Sequence, residues 1–440
     1  MARRRVSVLV AAICVALAAP VASASATPVA GGAGGPGASA GSGAVGPGVV
    51  VGLVPGDARV DEQGSVQGGA QGGDRADVGA RLRAGLQRVT GAGAAASFGE
   101  VADEHGTVRA GSGVADLATG APVRTDGRYR AGSITKMFTA TTVLQLVGEH
   151  RIGLDDPVER YLPGLVPNGG NITIRQLMNH SSGLWDPTNE PDGGVFPAFK
   201  TAEEARTWYR EGGPSHSVPR SQVVAASVAH APYFPPGTSW HYSNVNYTLL
   251  GMVVEKVTGH GYAHEIEARI LRPLGMTRTY LPGAATDIRG PHAHGYVTLV
   301  EGPGPDQRTD FDLTVQSVTW ANSAGELIST TDDLLRFERA LLGGRLLSPE
   351  LMKEMSTTIP VTADGSPSRM TYGLGLARVQ LSCGPVYGHD GSMPGYQSQL
   401  WSSGTRSLAV STTPRGDGPQ QIAQYQAQGQ LLEDVFCGGR

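Results

Sequence analysis

The chain has 440 residues, a formal net charge of −4 and 40% hydrophobic side chains. Mild acidity argues against nucleic acid as a partner, since that needs a basic face. The length suits one domain with an insertion. Lysine is scarce: Lys136, Lys200, Lys256 and Lys353 stand against 31 arginines, so each retained lysine is a candidate for work that arginine cannot do.

Met1-Ala2-Arg3-Arg4-Arg5, an apolar run from Val6 to Val21 and then Ala24-Ser25-Ala26 have the layout of a secretory signal peptide over residues 1–26, with cleavage expected after Ala26. The run is short and interrupted by Pro20, which argues against a permanent anchor. Ile13 before Cys14 fits a lipid-attachment site poorly. Cleavage removes three Arg and no acid, taking the net charge from −4 to −7. No later stretch is long and apolar enough to span a bilayer, so the expectation is a secreted, extracytoplasmic and soluble chain with no membrane or nucleic-acid partner. A monomer is the simplest expectation. Residues 27–76, mostly Gly, Ala, Pro, Val and Ser, have too little to bury and read as a linker. Gly37-Ala38-Ser39-Ala40-Gly41 inside it matches a nucleophile elbow in letters only, because that turn needs a strand before it and a helix after it.

From residue 77 to 440 the composition becomes ordinary. A helix is expected over Asp77 to Thr90, then two strands around Glu104-His105-Gly106. A helix from Ser133 to Val147 buries Ile134, Met137, Phe138, Val143, Leu144 and Val147. Asp156-Pro157 and Thr173 start short helices, the second running into Ser182-Gly183. Asn246 to Thr258 and Tyr262 to Leu271 read as helices, as do segments opened by Thr331-Asp332 and Ser348-Pro349-Glu350. Alternation over 371–379, 385–389, 397–402 and 407–412 predicts strands, and Gln420 to Phe436 a closing helix. Strands at both ends with helices between predict an α+β fold: one antiparallel sheet flanked by helices, with an all-helical region inserted at about 149–324.

Three short motifs carry chemistry. In Ser133-Ile134-Thr135-Lys136 a serine opens a helix, and Lys136 lies one turn on along the same face. A helix start offers unpaired N–H groups to an oxyanion. The weak serine nucleophile needs a base, and lysine serves if its pKa falls from ~10.4 toward ~7. A capped helix with a solvated lysine is the plain alternative. Tyr242-Ser243-Asn244 follows the stiff Phe234-Pro235-Pro236-Gly237 approach and precedes a helix, so Tyr242 can carry a proton and Asn244 can hydrogen-bond an amide. A simple N-cap is the alternative there. His389-Asp390-Gly391-Ser392 follows an apolar alternation and should end or edge a strand. Gly391 lets a substrate backbone come close, and the Ser392 N–H can serve as a second oxyanion donor. Cys383 and Cys437, the two cysteines beyond the signal, can pair in an oxidising compartment or remain two free thiols.

Ser-x-x-Lys, then Tyr-Ser-Asn about a hundred residues on, then His-x-Gly near the C-terminal end resembles the penicillin-binding-protein and class C β-lactamase superfamily, and within it secreted actinobacterial D-alanyl-D-alanine carboxypeptidases. Ile174-Arg175-Gln176-Leu177-Met178-Asn179-His180-Ser181-Ser182-Gly183-Leu184, Ser323-Ala324-Gly325-Glu326-Leu327-Ile328-Ser329-Thr330 and the Cys383…Cys437 pair add to the likeness, which covers residues 77–440. It implies that Ser133 is acylated, that Lys136 and Tyr242 share the proton transfers, and that Asn244, His389, Asp390, Gly391, Ser392 and Trp320 line the substrate site. It calls for no cofactor and no metal. It implies peptidoglycan-derived peptides or β-lactams as partners, with β-lactamase or D-amino-acid-specific esterase or peptidase activity as alternatives. One departure stands out: Asp390 occupies the position where the carboxypeptidase group usually has Thr, which helps dock a free carboxylate. Pairing with His389 or Arg378 would tame it; otherwise it would repel that carboxylate.

Other chemistries find less support. There is no His-Glu-x-x-His, His292-Ala293-His294 reads as a loop, and no phosphate-binding Gly-Lys loop is present. A non-catalytic penicillin or peptidoglycan sensor would have lost a motif residue, and all are retained.

Overall fold

The computed structural model describes residues 69–438 apart from 191–194, 198, 200, 302–306 and 362–367. The expected signal peptide and most of the linker therefore lie outside the described residues. The first helix spans Gly69–Gly91 and so begins ahead of Asp77.

An eight-stranded, wholly antiparallel sheet joins the two ends of the chain. Its order is Gly106–Gly113, Ala96–Asp103, Ser407–Thr413, Tyr396–Ser402, Gly384–Met393, Ala377–Leu381, Met370–Tyr372 and Ile359–Pro360. Successive side chains of a strand point to opposite faces. Trp401, Leu408 and Val410 therefore pack with Val78, Leu82, Leu86, Leu431 and Val435 of the first helix and the C-terminal helix Gly418–Cys437. Leu400 and Ala409 face the other way, into a larger core with Ile134, Met137, Phe138 and Phe337. Every residue of the two strands over 396–402 and 407–413 is buried, as befits strands covered on both faces.

Most expected elements are present. The helices Asn244–Thr258, Thr331–Leu342 and Pro349–Ser356 form, the last two capped by Thr330 and Ser348. Thr173 caps Ile174–Met178 in a reciprocal capping box with Gln176. The segment after Asp156-Pro157 makes only the single 3-10 turn Val158–Arg160.

Two differences bear on the site. The strand expected over 371–379 is two strands, broken at Gly373–Leu376. Gly375 has φ +76°, and a Cβ there would lie 2.5 Å from the Ala140 Cβ and 2.7 Å from the Tyr247 hydroxyl. The turn therefore sits hard against the helix behind the nucleophile. The inserted region is not all-helical: Tyr296–Val300 and Arg308–Asp312 form a hairpin. Leu299 and Leu313 pack there on Ala205 and Tyr209, on or beside the helix Ala202–Arg210. Its alternation is short and flanked by Gly and Pro, so it is easily read as loop.

Cys383 and Cys437 form a disulfide that ties the hairpin between Ala377–Leu381 and Gly384–Met393 to the end of the C-terminal helix.

Candidate active site

Ser133 sits in a 3-10 turn, Gly132–Ile134, that leads into the helix Thr135–Gly148. Gly132 makes that turn possible. Its φ is +55°, and a Cβ would come within 2.8 Å of the Ser392 backbone N and O. The turn is pinned from three sides. Ala131 N–H donates to Leu327 O at 2.8 Å. Thr135 Oγ1 donates to Gly132 O at 2.7 Å and accepts from Leu327 N–H at 3.0 Å. The buried Arg130 donates through Nη2 to the carbonyls of Thr286 and Thr314, fastening the inserted region to the turn.

Lys136 is fully buried and reaches Ser133. Its Nζ lies 3.1 Å from Ser133 Oγ, 2.7 Å from Asn244 Oδ1 and 2.8 Å from Ala324 O. An ammonium would donate to all three. A neutral amine could instead accept the Ser133 hydroxyl proton with the same separations, so the site accommodates both states that a proton shuttle needs. The Tyr242 ring stacks beside it, with Nζ 4.8 Å from the ring centroid.

The second motif is more than a helix cap. Ser243 occupies the N-cap position without a side-chain capping bond, and its N–H donates to His180 Nδ1 at 3.2 Å. Asn244 is the first helical residue. Its amide is committed at both ends, the oxygen to Lys136 and the NH2 to Thr188 Oγ1 and Asp186 Oδ2. A substrate amide would have to displace one of those partners, so as placed Asn244 first of all orients Lys136.

The third motif lies within Gly384–Met393, near the end of the strand. A Cβ on Gly391 would be 3.0 Å from Ser133 N and 2.1 Å from Ala131 O, so strand and nucleophile turn are in direct contact. This brings the backbones of Ser133 and Ser392 together, the pair expected to hold an oxyanion. His389 is buried and neutral. Its Nδ1 faces the Asp390 carbonyl and therefore carries the proton, while Nε2 accepts from Tyr372 Oη at 2.8 Å. Burial and the Lys136 charge push its pKa down to about 3.

Asp390 takes neither expected partner. Arg378 donates to Gln380 Oε1 instead, and Asp390 Oδ1 is 3.7 Å from the uncharged His389 ring. Alternation along the strand turns Asp390 toward the C-terminal helix, where Tyr425 Oη donates to Oδ2 at 2.7 Å. Burial pushes its carboxyl up from the usual range. Trp320 is half-buried and packs edge-on against Phe196, with centroids 4.8 Å apart.

The structure adds residues that the motifs did not single out. His180 is buried beside Tyr242, with ring centroids 4.2 Å apart. It adopts a left-handed φ of +64°, a conformation that few residues other than Gly adopt, Asn, Asp and His more often than the rest. Burial first, then Lys136, holds it neutral. Its Nδ1 accepts from Ser243 N–H and faces Asn246 Nδ2. Asp186 and Thr188 complete the shell through Asn244. All three lie in one loop stretch, Asn179 to Thr188, whose side-chain roles no periodicity can disclose. Among the described residues, His260, His264 and Glu265 lie close enough together to hold a metal. Glu265, however, already accepts from His260 Nδ1 and Arg269 Nε.

A family model described as Beta-lactamase matches residues 79–433. A D-stereospecific amidohydrolase from Streptomyces sp. superposes with a TM-score of 0.71 at 35% identity, covering 82% of this chain and 99% of that one. A D-amino acid amidase from Ochrobactrum anthropi SV3 gives a TM-score of 0.69 at 26% identity over 82% of this chain and 98% of that one. Penicillin-binding protein 4* of Bacillus subtilis is 29% identical over 297 residues, 66% of this chain, and this chain spans 60% of its length.

Proposed function

The chain belongs to the beta-lactamase family, and from that premise we propose that it is an exported acyl-enzyme serine hydrolase of D-amino-acid amides, acting on donors that lack a free terminal carboxylate. Ser133 Oγ adds to the amide carbonyl, and its proton passes by way of Lys136 and Tyr242 to the departing nitrogen. The carbon–nitrogen bond breaks and the amine leaves. Water then adds to the Ser133 ester, gives a proton back through the same groups, and releases the acid. The N–H groups of Ser133 and Ser392 hold the oxyanion in both halves.

One observation carries the substrate class. Docking a carboxylate calls for positive charge or hydroxyl donors; His389 is neutral, and an acid, Asp390, stands where the carboxypeptidase group usually has the hydroxyl of Thr. Asp390 turns to Tyr425 on the C-terminal helix, so at this position the strand presents the site with neither a cation nor a hydroxyl. The likeness to a D-stereospecific amidohydrolase and a D-amino acid amidase supports amides as donors.

The test compares kcat/KM on a D-amino-acid amide with that on a peptide ending in D-alanyl-D-alanine, in wild type and Asp390→Thr. Wild type should prefer the amide, and the variant should gain on the peptide. A wild type that prefers the peptide, with no gain in the variant, returns the reading to a D-alanyl-D-alanine carboxypeptidase. Rapid turnover of a fluorescent penicillin would point to a β-lactamase. Export is part of the proposal, supported by the disulfide, which suits an oxidising compartment. Recovery of the chain outside the cytoplasm with its N-terminus just past Ala26 checks it; an uncleaved cytoplasmic chain contradicts it. The large exposed apolar side chains among the described residues are the separate Val315 and Ile422, which supports a monomer.

A further inference from the structure

Lys136 is held in place by a carboxylate that the chemistry above does not use. Asp186 follows the Ile174–Met178 helix in the loop that passes the site, and it is fully buried. Its Oδ1 accepts the Thr188 N–H at 3.0 Å and the Thr188 hydroxyl at 2.7 Å. Its Oδ2 accepts from Asn189 Nδ2 at 2.6 Å and from Asn244 Nδ2 at 3.2 Å. Because the Thr188 hydroxyl proton is spent on Asp186, its oxygen meets Asn244 as an acceptor, at 2.8 Å.

That arrangement fixes which way the Asn244 amide points. The two ends of an asparagine amide are nearly alike in shape, and only the hydrogen bonds choose between them. An ionised carboxylate can only accept, and Thr188, committed to it, can only accept from Asn244. The NH2 must therefore face Asp186 and Thr188, and the oxygen must face Lys136. Turned round, the amide would set its NH2 against the lysine donors and its oxygen against two acceptors.

Resting on the proposed roles of Ser133 and Lys136 as the acylation pair, we propose that Asp186 is a positioning residue: with Thr188 and through Asn244, it holds Lys136 Nζ on Ser133 Oγ.

The role depends on ionisation. A protonated Asp186 becomes a donor and loosens its hold on the amide. Burial raises its carboxyl above the usual range, against the hydrogen bonds it accepts and the Lys136 charge. The other titratable groups around it are Tyr233, whose hydroxyl accepts the Asp186 N–H, and Glu190 beyond that tyrosine. Acylation should therefore fade on the acid side as Asp186 gains a proton.

The experiment follows the labelling rate of Ser133 by a fluorophosphonate, which does not depend on the natural acyl donor, across the acid pH range. It is run beside kcat and KM on a D-amino-acid amide. Asp186→Asn should slow labelling and kcat by about 100-fold, the scale of a catalytic group misplaced by about 1 Å. KM should change little, and the acid limb set by Asp186 should disappear. Thr188→Val should reproduce the loss, and Thr188→Ser, which keeps the hydroxyl, should restore the rate. Wild-type rates with an unchanged acid limb in Asp186→Asn would overturn the inference. If that variant does not fold, equal rates for Thr188→Val and Thr188→Ser would overturn it instead. A labelled wild type that ignores D-amino-acid amides contradicts the proposed substrate class alone, and the labelling rates still decide the role of Asp186. A wild type unlabelled at Ser133 removes the nucleophile, and this inference with it.

Discussion

Gly391→Ala adds one methyl group where the third motif touches the nucleophile turn. Its Cβ would stand 2.1 Å from Ala131 O, 2.6 Å from Ser398 Oγ and 3.0 Å from Ser133 N. A carbon and an oxygen normally approach to about 3.3 Å, so strand and turn must part by about 1 Å. Neither side yields easily. Ala131 N–H is bonded to Leu327 O, Ala131 O accepts from Ser398 Oγ at 2.8 Å, and Gly391 is paired with Ser398 of the neighbouring strand. Parting them separates the Ser133 and Ser392 N–H groups proposed to share the oxyanion. A displacement of that size costs about 100-fold in rate, and overpacking costs about 1–3 kcal/mol of stability. Gly170→Ala is the control, since a Cβ there meets nothing within 4 Å. The assay is kcat/KM on a D-amino-acid amide, with urea unfolding to show that the variant remains folded at the assay temperature. A folded Gly391→Ala enzyme with wild-type kcat/KM would refute the assigned oxyanion geometry.

Burial, then the Lys136 charge, pushes His389 down to about 3 in the fold, against about 6.5 in the unfolded chain. The unfolded state binds a proton that the folded state refuses, so stability is lost as pH falls from 6.5 toward 3. Between pH 7 and pH 5 this one group removes about 2 kcal/mol. The raised carboxyls of Asp186 and Asp390 act in the opposite sense. His389→Gln should therefore lose about 2 kcal/mol less than wild type between those two pH values in urea titrations, and an equal loss would show that His389 is not held neutral. Replacing both Cys383 and Cys437 with Ser opens a 54-residue connection and should cost about 4 kcal/mol on the chain-entropy model. The disulfide lies six strand positions from His389, about 20 Å along the chain, so kcat/KM on the folded protein should hold. A collapse of activity in folded protein would show that the C-terminal helix governs the site.

Where a residue's role followed from a repeating pattern or a local motif, it could be read directly. Alternation at both ends of the chain yields the sheet, because its inner strands bury both faces and its outer turns carry Gly and Pro. Ser133, Lys136, Tyr242 and His389 sit in motifs whose spacing already sets Ser133 and Lys136 on one helical face, and the structure brings Ser133, Lys136 and Tyr242 within a few ångströms of one another. The hairpin inside the inserted region escaped because five-residue strands between loops leave little periodicity. Asp186, Thr188 and His180 escaped for a different reason. Their contacts join positions about 60 residues apart through a loop with no repeat, and only the packing of the Asn244–Thr258 helix brings the two together. Asp390 was legible as a departure from its group, but its partner was not, since Tyr425 reaches it from a helix 35 residues away.

The central claim is a covalent intermediate on Ser133 during hydrolysis of a D-amino-acid amide. Rapid-quench mass spectrometry of the wild type mixed with D-alanine p-nitroanilide reads it directly. The account predicts a transient D-alanyl adduct on the peptide containing Ser133, formed with the release of nitroaniline, and neither adduct nor turnover in Ser133→Ala. Turnover that leaves no adduct on that peptide, or that persists in Ser133→Ala, would contradict it.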